Sequence, residues 1–142
     1  MSNNLITSNI AGIGIDSVEI ERFSQWADYP VEKLQKTHSE KEIAYCLANK
    51  EKSAERFAAR FAAKEAFFKA LSQIVPNHTI PFLTICKNTQ VTQETNGNPQ
   101  LLIHWETLLQ NQPTKPKNPY RSHISITHTK TIATAIVIVE NC

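Results

Sequence analysis

One segment of the sequence restricts the fold more than any other does. Residues 57–71 read FAARFAAKEAFFKAL, which is rich in helix-forming residues and contains neither Gly nor Pro. At helical spacing the large side chains form one apolar face and the alanines form another on the opposite side: Phe57, Phe61, Phe68 and Leu71, and Ala59, Ala63, Ala66 and Ala70. A helix that is apolar on both sides is normally buried, so we expect it at the centre of the fold.

Three charged residues, Lys64, Glu65 and Lys69, lie between these faces. The spacing of Glu65 and Lys69 is i, i+4, and an exposed pair of this kind is usually a solvated surface pair that contributes about 0.2–0.5 kcal/mol. Burying an ion without compensation costs far more than such a pair returns. One hypothesis is that Glu65 and a second carboxylate bind a hard cation such as Mg²⁺, while Lys69 contacts phosphate oxygens. The alternative is a structural ion pair.

The composition of the whole chain narrows the functional class. A length of 142 residues predicts one domain, 1–142, and a formal net charge of +2 does not favour nucleic-acid or membrane binding. The N-terminus lacks the pattern of a signal peptide and no apolar segment is long enough to cross a bilayer, so we expect a cytoplasmic protein. The three cysteines, Cys46, Cys86 and Cys142, are spaced for neither zinc nor a disulfide framework, and we expect them to be reduced.

The first half of the chain is predicted to be mainly helical. Residues 9–15 form a short apolar strand with two glycines, and Asp16 or Ser17 then carries the signal that starts a helix. Taken alone, Asp16 is therefore interpreted as a helix cap rather than a ligand. Ser39 and Glu42 have capping-box spacing, which predicts a second helix within residues 37–48.

The second half is predicted to contain mainly hairpins. After a proline-containing loop we expect a strand that ends near Cys86, followed by a hairpin at Asn96-Gly97 and a helical turn at WETLLQ. Residues 112–120, QPTKPKNPY, predict an exposed, stiff loop. The last predicted strands are joined at residues 128–131. This order indicates an α+β fold in which helices pack on an antiparallel sheet.

Two further groups of residues have both an ordinary and a functional interpretation. Arg56, Arg60 and Lys64 form an i, i+4 ridge, which is usually a solvated helix edge but also suits a row of phosphate contacts. His128 lies at the predicted turn with hydroxyl and ammonium side chains, which are ordinary in turns and also suit a phosphate: Ser125, Thr127, Thr129 and Lys130.

Three segments together resemble one family, the holo-acyl carrier protein synthases, which are small bacterial 4′-phosphopantetheinyl transferases. They are GIGID (12–16) with EIER (19–22), FAARFAAKEAFFKAL (57–71) and SHISITHTK (122–130). Their order and spacing match, and the resemblance extends from about residue 10 to residue 139. It implies transfer of the phosphopantetheine arm of coenzyme A to a serine of apo-acyl carrier protein, with Mg²⁺, in fatty acid biosynthesis. Adenosine 3′,5′-bisphosphate is the expected second product.

The resemblance also implies residue roles. Asp16 and Glu65 would bind the metal, Lys69 the coenzyme A phosphates, and Arg60 and His128 the adenosine 3′-phosphate. Lys64 would belong to the coenzyme A site with a less defined role, and Arg22 would contact the acidic carrier protein. Either Glu65 or a water on the metal would be the base. Members of the family form homotrimers with active sites between subunits, so the resemblance implies the same assembly for this chain. Val18 stands at the position where the larger monomeric transferases have a third acidic ligand.

Two alternative functions remain at this point. A Mg²⁺-dependent hydrolase of coenzyme A or of a nucleotide would use the same carboxylates and lysine. A non-catalytic coenzyme A-binding module would contain Glu65 and Lys69 only as a structural pair. The segment after Arg22 is also poor in arginine, so carrier recognition is expected to depend more on Phe23 and Trp26 than on charge.

Overall fold

The computed structural model describes residues 9–93, 96–112 and 120–141. Within these ranges it contains five α-helices: α1 (Val31–Leu34), α2 (Glu40–Leu47), α3 (Ser53–Ile74), α4 (Phe82–Lys87) and α5 (Trp105–Leu109). The described strands are β1 (Ile10–Glu19), β2 (Thr89–Gln93), β3 (Pro99–Ile103), β4 (Tyr120–His128) and β5 (Ile132–Asn141). The predicted α+β class is confirmed.

The strands form a three-stranded antiparallel sheet and a separate hairpin. The sheet has the order β1-β5-β4, so β1 lies at its edge, and β2 pairs with β3. In the register of β1 with β5, Gly14 is opposite Val137 and Asp16 is opposite Ala135. Because strand side chains alternate between faces, Gly14, Asp16 and Val18 share the face that packs against α3.

The central helix α3 packs closely on β1, as the two apolar faces predicted. Phe57, Leu71, Ala63 and Ala66 are all completely buried. The approach is close because β1 has glycine at the contact: a Cβ atom added at Gly14 would overlap the carbonyl oxygen of Ala66. Gly14 is therefore required by backbone proximity rather than by an unusual dihedral angle.

Gly14→Ala is expected to destabilise the fold by about 3 kcal/mol, because β1 must move away from α3 to admit the methyl group. Urea unfolding followed by circular dichroism measures this loss. Ser17→Ala, on the opposite face of the same strand, is the control and is expected to have a small effect. Equal unfolding midpoints for the Gly14→Ala variant and the unsubstituted protein would contradict the packing argument.

The structure overturns two predicted elements. No α-helix begins at Asp16 or Ser17, because β1 continues to Glu19 and remains paired with β5 over its whole length. Two short 3-10 helices, Ile20–Phe23 and Trp26–Asp28, replace the predicted helix. The predicted strand ending near Cys86 is also wrong, since that segment is helix α4. Pro81 precedes the first turn with φ −64° and its carbonyl accepts from the amides of that turn.

The other predicted elements are confirmed. Ser39 and Glu42 form the capping box of α2, and the hairpins at Asn96-Gly97 and at residues 128–131 are present. The helical turn at WETLLQ is α5. Most of the predicted proline-rich loop, residues 113–119, lies outside the described residues.

The sheet face that points away from α3 carries an apolar patch that the single chain leaves uncovered. Ile13 and Ile15 are 44% and 58% exposed, and their cross-strand partners on β5 are Ile138 and Ile136. A separate finding concerns membranes: over the described ranges, no helix is long and apolar enough to cross a bilayer.

Candidate active site at the edge of β1

A row of polar side chains on α3 runs along the free edge of β1. The Oε1 atom of Gln73 accepts a hydrogen bond from the backbone N–H of Ile13 at 2.9 Å. Lys69, one turn earlier, donates from Nζ to the carbonyl oxygen of Ile15 at 2.9 Å and to Oδ1 of Asp16 at 3.2 Å. Glu65 begins the row one turn before Lys69. The row therefore brings Asp16, from a distant part of the sequence, beside the charged residues of α3.

The two carboxylates of this site, Asp16 and Glu65, interact electrostatically. Burial raises the pKa of Glu65, and the charge of Asp16 raises it further, whereas Lys69 and Arg22 act in the opposite direction. A raised pKa means that the charged form of Glu65 is incompletely stabilised by the protein alone. A cation held between the carboxylates would stabilise it and displace the proton.

The donor set fits Mg²⁺. Asp16 has 17% of its side chain exposed and Glu65 is half-buried, so solvent reaches both carboxylates. Among the residues that the structure describes, no cluster of three or more His, Cys, Asp or Glu could hold a metal. Mg²⁺ commonly binds one or two carboxylates and completes its shell with waters and substrate phosphates. Two carboxylates beside a lysine therefore suit a magnesium–phosphate substrate rather than a closed metal site.

Arg22 lies close to this site, in the first 3-10 helix. Its guanidinium carbon is 5.6 Å from the ring centroid of Phe61 and 5.7 Å from that of Phe23, and its charge acts on Glu65. Phe23 is 1% exposed and packs against Trp26 with ring centroids 4.6 Å apart. The burial of Phe23 does not fit its predicted contact with a carrier, whereas Arg22 is exposed and Trp26 half-buried.

Lys64 points away from the site, into the core. Its side chain and that of Glu42 are both 0% exposed, and Nζ lies 2.7 Å from Oε1 of Glu42. Nζ also donates to three backbone carbonyls, those of Thr37, Cys86 and Thr89. Lys64 therefore has no accessible ammonium to offer a coenzyme A phosphate, and this geometry does not fit its predicted role. Lys64 precedes Glu65 in the sequence, but successive side chains on a helix point in directions about 100° apart, so the two residues face different surroundings.

Glu42 is the other half of this buried pair. Burial disfavours its charged form, but the charge and hydrogen bond of Lys64 hold its pKa below the usual value. The backbone N–H groups of Ser39 and Val91 also donate to its carboxylate, at 2.7 and 3.0 Å. The pair therefore joins α2, α3, α4 and β2 through one set of hydrogen bonds.

Arg60 and His128 lie outside this site. Arg60 is on α3, and His128, at the end of β4, lies near the N-terminal end of α3. Arg60 is 5% exposed, and its guanidinium carbon lies 4.2 Å from the ring centroid of Tyr45. His128 approaches Glu55 instead, with Nε2 and Oε1 3.0 Å apart. Within the described ranges of a single chain, no hydrogen bond or ion pair joins Arg60 or His128 to Lys69.

Sequence reasoning missed Gln73, Glu42 and Tyr45. Gln73 has a detectable signal, because Glu65, Lys69 and Gln73 continue one i, i+4 row. Glu42 was assigned only a capping role, although one of its oxygens is shared between the cap and Lys64. Nothing in the local pattern around Tyr45 indicates that its ring receives two guanidinium groups.

Comparisons with known proteins show the family of the chain. The model of the 4′-phosphopantetheinyl transferase superfamily matches residues 12–134. The holo-[acyl-carrier-protein] synthase of Treponema denticola is 35% identical over 131 residues, which are 92% of this chain and 98% of that protein.

Two solved structures share the fold. The holo-(acyl-carrier-protein) synthase of Bacillus anthracis in complex with CoA (3′,5′-ADP) has a TM-score of 0.71 and 28% identity, over 94% of this chain and 98% of that chain. The Chronobacterium ammoniagenes ACPS-CoA complex has a TM-score of 0.72 and 25% identity, over 92% of this chain and 97% of that chain. The match in sequence and in fold leads to one conclusion: the chain belongs to the 4′-phosphopantetheinyl transferase superfamily and, within it, to the holo-[acyl-carrier-protein] synthases.

Proposed function

We propose that the chain transfers 4′-phosphopantetheine from coenzyme A to a serine of apo-acyl carrier protein, with Asp16 and Glu65 as the ligands of Mg²⁺. The observation that carries this proposal is the meeting of Asp16, Glu65 and Lys69 at one accessible edge. Relatives that match over almost their whole length carry the same activity in their names. Cytoplasmic location and a role in fatty acid biosynthesis follow as part of the proposal.

The chemistry assigns a task to each residue. The serine oxygen forms a bond to the β-phosphorus of coenzyme A, and the bond from that phosphorus to the bridging oxygen breaks, which releases adenosine 3′,5′-bisphosphate. Lys69 stabilises negative charge on the pyrophosphate oxygens. Either Glu65 or a water molecule would accept the proton that the serine loses. Mg²⁺, when bound by Asp16 and Glu65, would neutralise charge on the same oxygens.

The proposed assembly is a homotrimer with active sites between subunits. An apolar patch on the outer face of the sheet supports it, since Ile13 and Ile15 would otherwise expose an apolar surface together with Ile136 and Ile138. Subunit packing would also allow His128 of one chain to approach the site of another. Native mass spectrometry of the purified chain should give three subunits, and a monomer at micromolar concentration would contradict the assembly.

The transfer is tested by mass spectrometry of purified apo-acyl carrier protein after incubation with the chain, coenzyme A and Mg²⁺. The expected result is a gain of one phosphopantetheine mass, which excess EDTA abolishes. A reaction without the carrier protein distinguishes the transferase from the alternative functions. Breakdown of coenzyme A in that reaction would favour a hydrolase. Coenzyme A binding without any turnover would favour a non-catalytic module.

Arg22→Glu is expected to raise the KM for the carrier protein by about 10-fold while the KM for coenzyme A changes little, because Arg22 lies on the exposed surface next to the site. Steady-state kinetics with each substrate varied in turn measures both constants. Lys36→Glu, an exposed charge reversal after α1, is the control. Equal increases in both KM values for Arg22→Glu would contradict its role in binding the carrier.

A further inference from the structure

Two side chains of α3 hydrogen-bond to the free edge of β1. Gln73 accepts from the backbone N–H of Ile13 at 2.9 Å, and Lys69 donates to the carbonyl oxygen of Ile15 at 2.9 Å. Four residues of a helix rise about 6 Å and two residues of a strand about 7 Å, so the two bonds match in spacing. Backbone groups of alternate residues face the same side of a strand, which is how a neighbouring strand would bond to them. The two side chains therefore take the place of a further strand on this edge.

The glycine contact between β1 and α3 sets their distance more firmly than their alignment. Gly12 and Gly14 lie against the backbone of Ala70 and Ala66, with no room for a side chain on the strand. Such a contact brings two elements close together, but small residues offer no large side chain that interlocks with the helix and resists sliding. Pairing with β5 holds β1 within the sheet rather than along α3. The two edge bonds therefore help to fix the position of β1 along the helix.

The alignment matters because Asp16 directly follows Ile15. The Nζ atom of Lys69 lies 3.2 Å from Oδ1 of Asp16, and Glu65 lies one turn earlier on α3. A movement of β1 along α3 therefore changes the separation of the two carboxylates. In the proposed function Lys69 contacts phosphate oxygens, so its bonds to β1 weaken when the substrate binds. The side chain of Gln73 is uncharged and has no such second task.

We propose that Gln73 is a positioning residue, which holds β1 at the place along α3 where Asp16 and Glu65 can share one Mg²⁺. Resting on the proposed function, this role needs no contact between Gln73 and the metal or the substrate. The effect is transmitted through the hydrogen bond to Ile13, three residues before Asp16, and that bond remains when Lys69 turns to a phosphate. Mg²⁺ requires nearly ideal octahedral geometry, so a small displacement of one carboxylate weakens its binding.

The test uses the whole chain with Mn²⁺ as the probe, measured by electron paramagnetic resonance without coenzyme A or carrier. Gln73→Met keeps the length of the side chain but removes the acceptor, so the Kd for Mn²⁺ should rise about 5-fold. Gln73→Glu keeps an acceptor oxygen for the Ile13 N–H and should retain the affinity. Gln110→Met, at the exposed residue after α5, is the matched control and should change nothing. Exchange of the Ile13 amide hydrogen, followed by NMR, should accelerate in Gln73→Met alone.

A residue with only a structural role would give a different result. Lower stability reduces the folded fraction, which thermal melting measures, but leaves the Kd of the folded protein for Mn²⁺ unchanged. An unchanged Kd in Gln73→Met, or equal increases in Gln73→Met and Gln73→Glu, would overturn the inference. Asp16→Asn separates this failure from a failure of the proposed function. Weaker Mn²⁺ binding in Asp16→Asn but not in Gln73→Met would refute only the positioning role, whereas no effect of Asp16→Asn would refute the metal site itself.

Discussion

Replacing Asp16 by Asn or Glu65 by Gln is expected to reduce phosphopantetheine transfer by about 10³-fold while the fold is retained. The amides keep the size of the side chains but cannot neutralise a divalent cation. Asp16→Ala and Glu65→Ala are expected to abolish transfer. Initial rates from mass spectrometry of the carrier measure the loss, and electron paramagnetic resonance with Mn²⁺ as a probe measures cation affinity, which should fall in parallel.

Glu19→Gln is the matched control for these variants. Glu19 lies on β1 like Asp16, but it is exposed on the opposite face of the strand and should leave both transfer and Mn²⁺ affinity unchanged. Full transfer activity in either the Asp16 or the Glu65 variant would contradict the proposed role of the two carboxylates in the mechanism. Loss of transfer with unchanged Mn²⁺ affinity would instead assign the residue a role other than metal binding.

The pH dependence of transfer gives an independent test of the same site. The proposed mechanism requires the charged form of Glu65, and the pKa of Glu65 is raised by burial and by Asp16. Activity should therefore fall with decreasing pH sooner than it would for a glutamate of ordinary pKa. Because a cation and a proton compete for the carboxylate, raising the Mg²⁺ concentration should shift this loss to lower pH. A profile independent of Mg²⁺ would contradict the competition.

The central helix was predictable because its evidence is local. Two apolar faces over residues 57–71 require burial, and the structure places α3 against the sheet with Phe57 and Ala66 completely buried. The capping box of α2 and the turn at Asn96-Gly97 are equally local signals, and both were confirmed. Patterns of this kind are satisfied by contacts within a few residues, and here the tertiary structure agrees with them.

The surroundings of the charged residues were not predictable, because they depend on distant segments. Asp16 carries a helix-start pattern, yet pairing of β1 with β5 keeps it in a strand. That pairing joins residues more than a hundred positions apart, and no local signal reports it. Lys64 and Glu65 are neighbours in sequence, but the first lies in the core and the second at the accessible edge. The family resemblance supplied Asp16 as a partner of Glu65 where periodicity alone could not.

Lys64→Met is expected to lower the free energy of unfolding by about 3–5 kcal/mol, because it leaves Glu42 buried and unpaired. Urea denaturation measures the change. Lys69→Met is the comparison one turn further along α3. The Lys69 side chain is 53% exposed, so loss of its charge should reduce transfer far more than stability. The opposite pattern, an inactive but fully stable Lys64→Met protein, would support the predicted contact between Lys64 and coenzyme A.

A double variant, Glu42→Leu with Lys64→Met, separates the cost of an unpaired charge from the value of the pair. Removing both ions eliminates the buried charge, so the double variant should be more stable than Lys64→Met alone. Recovery should nevertheless be incomplete, because the backbone N–H groups of Ser39 and Val91 lose their acceptor when Glu42 is replaced. A double variant no more stable than Lys64→Met would mean that these backbone bonds, rather than the ion pair, hold α2 and β2 to the central helix.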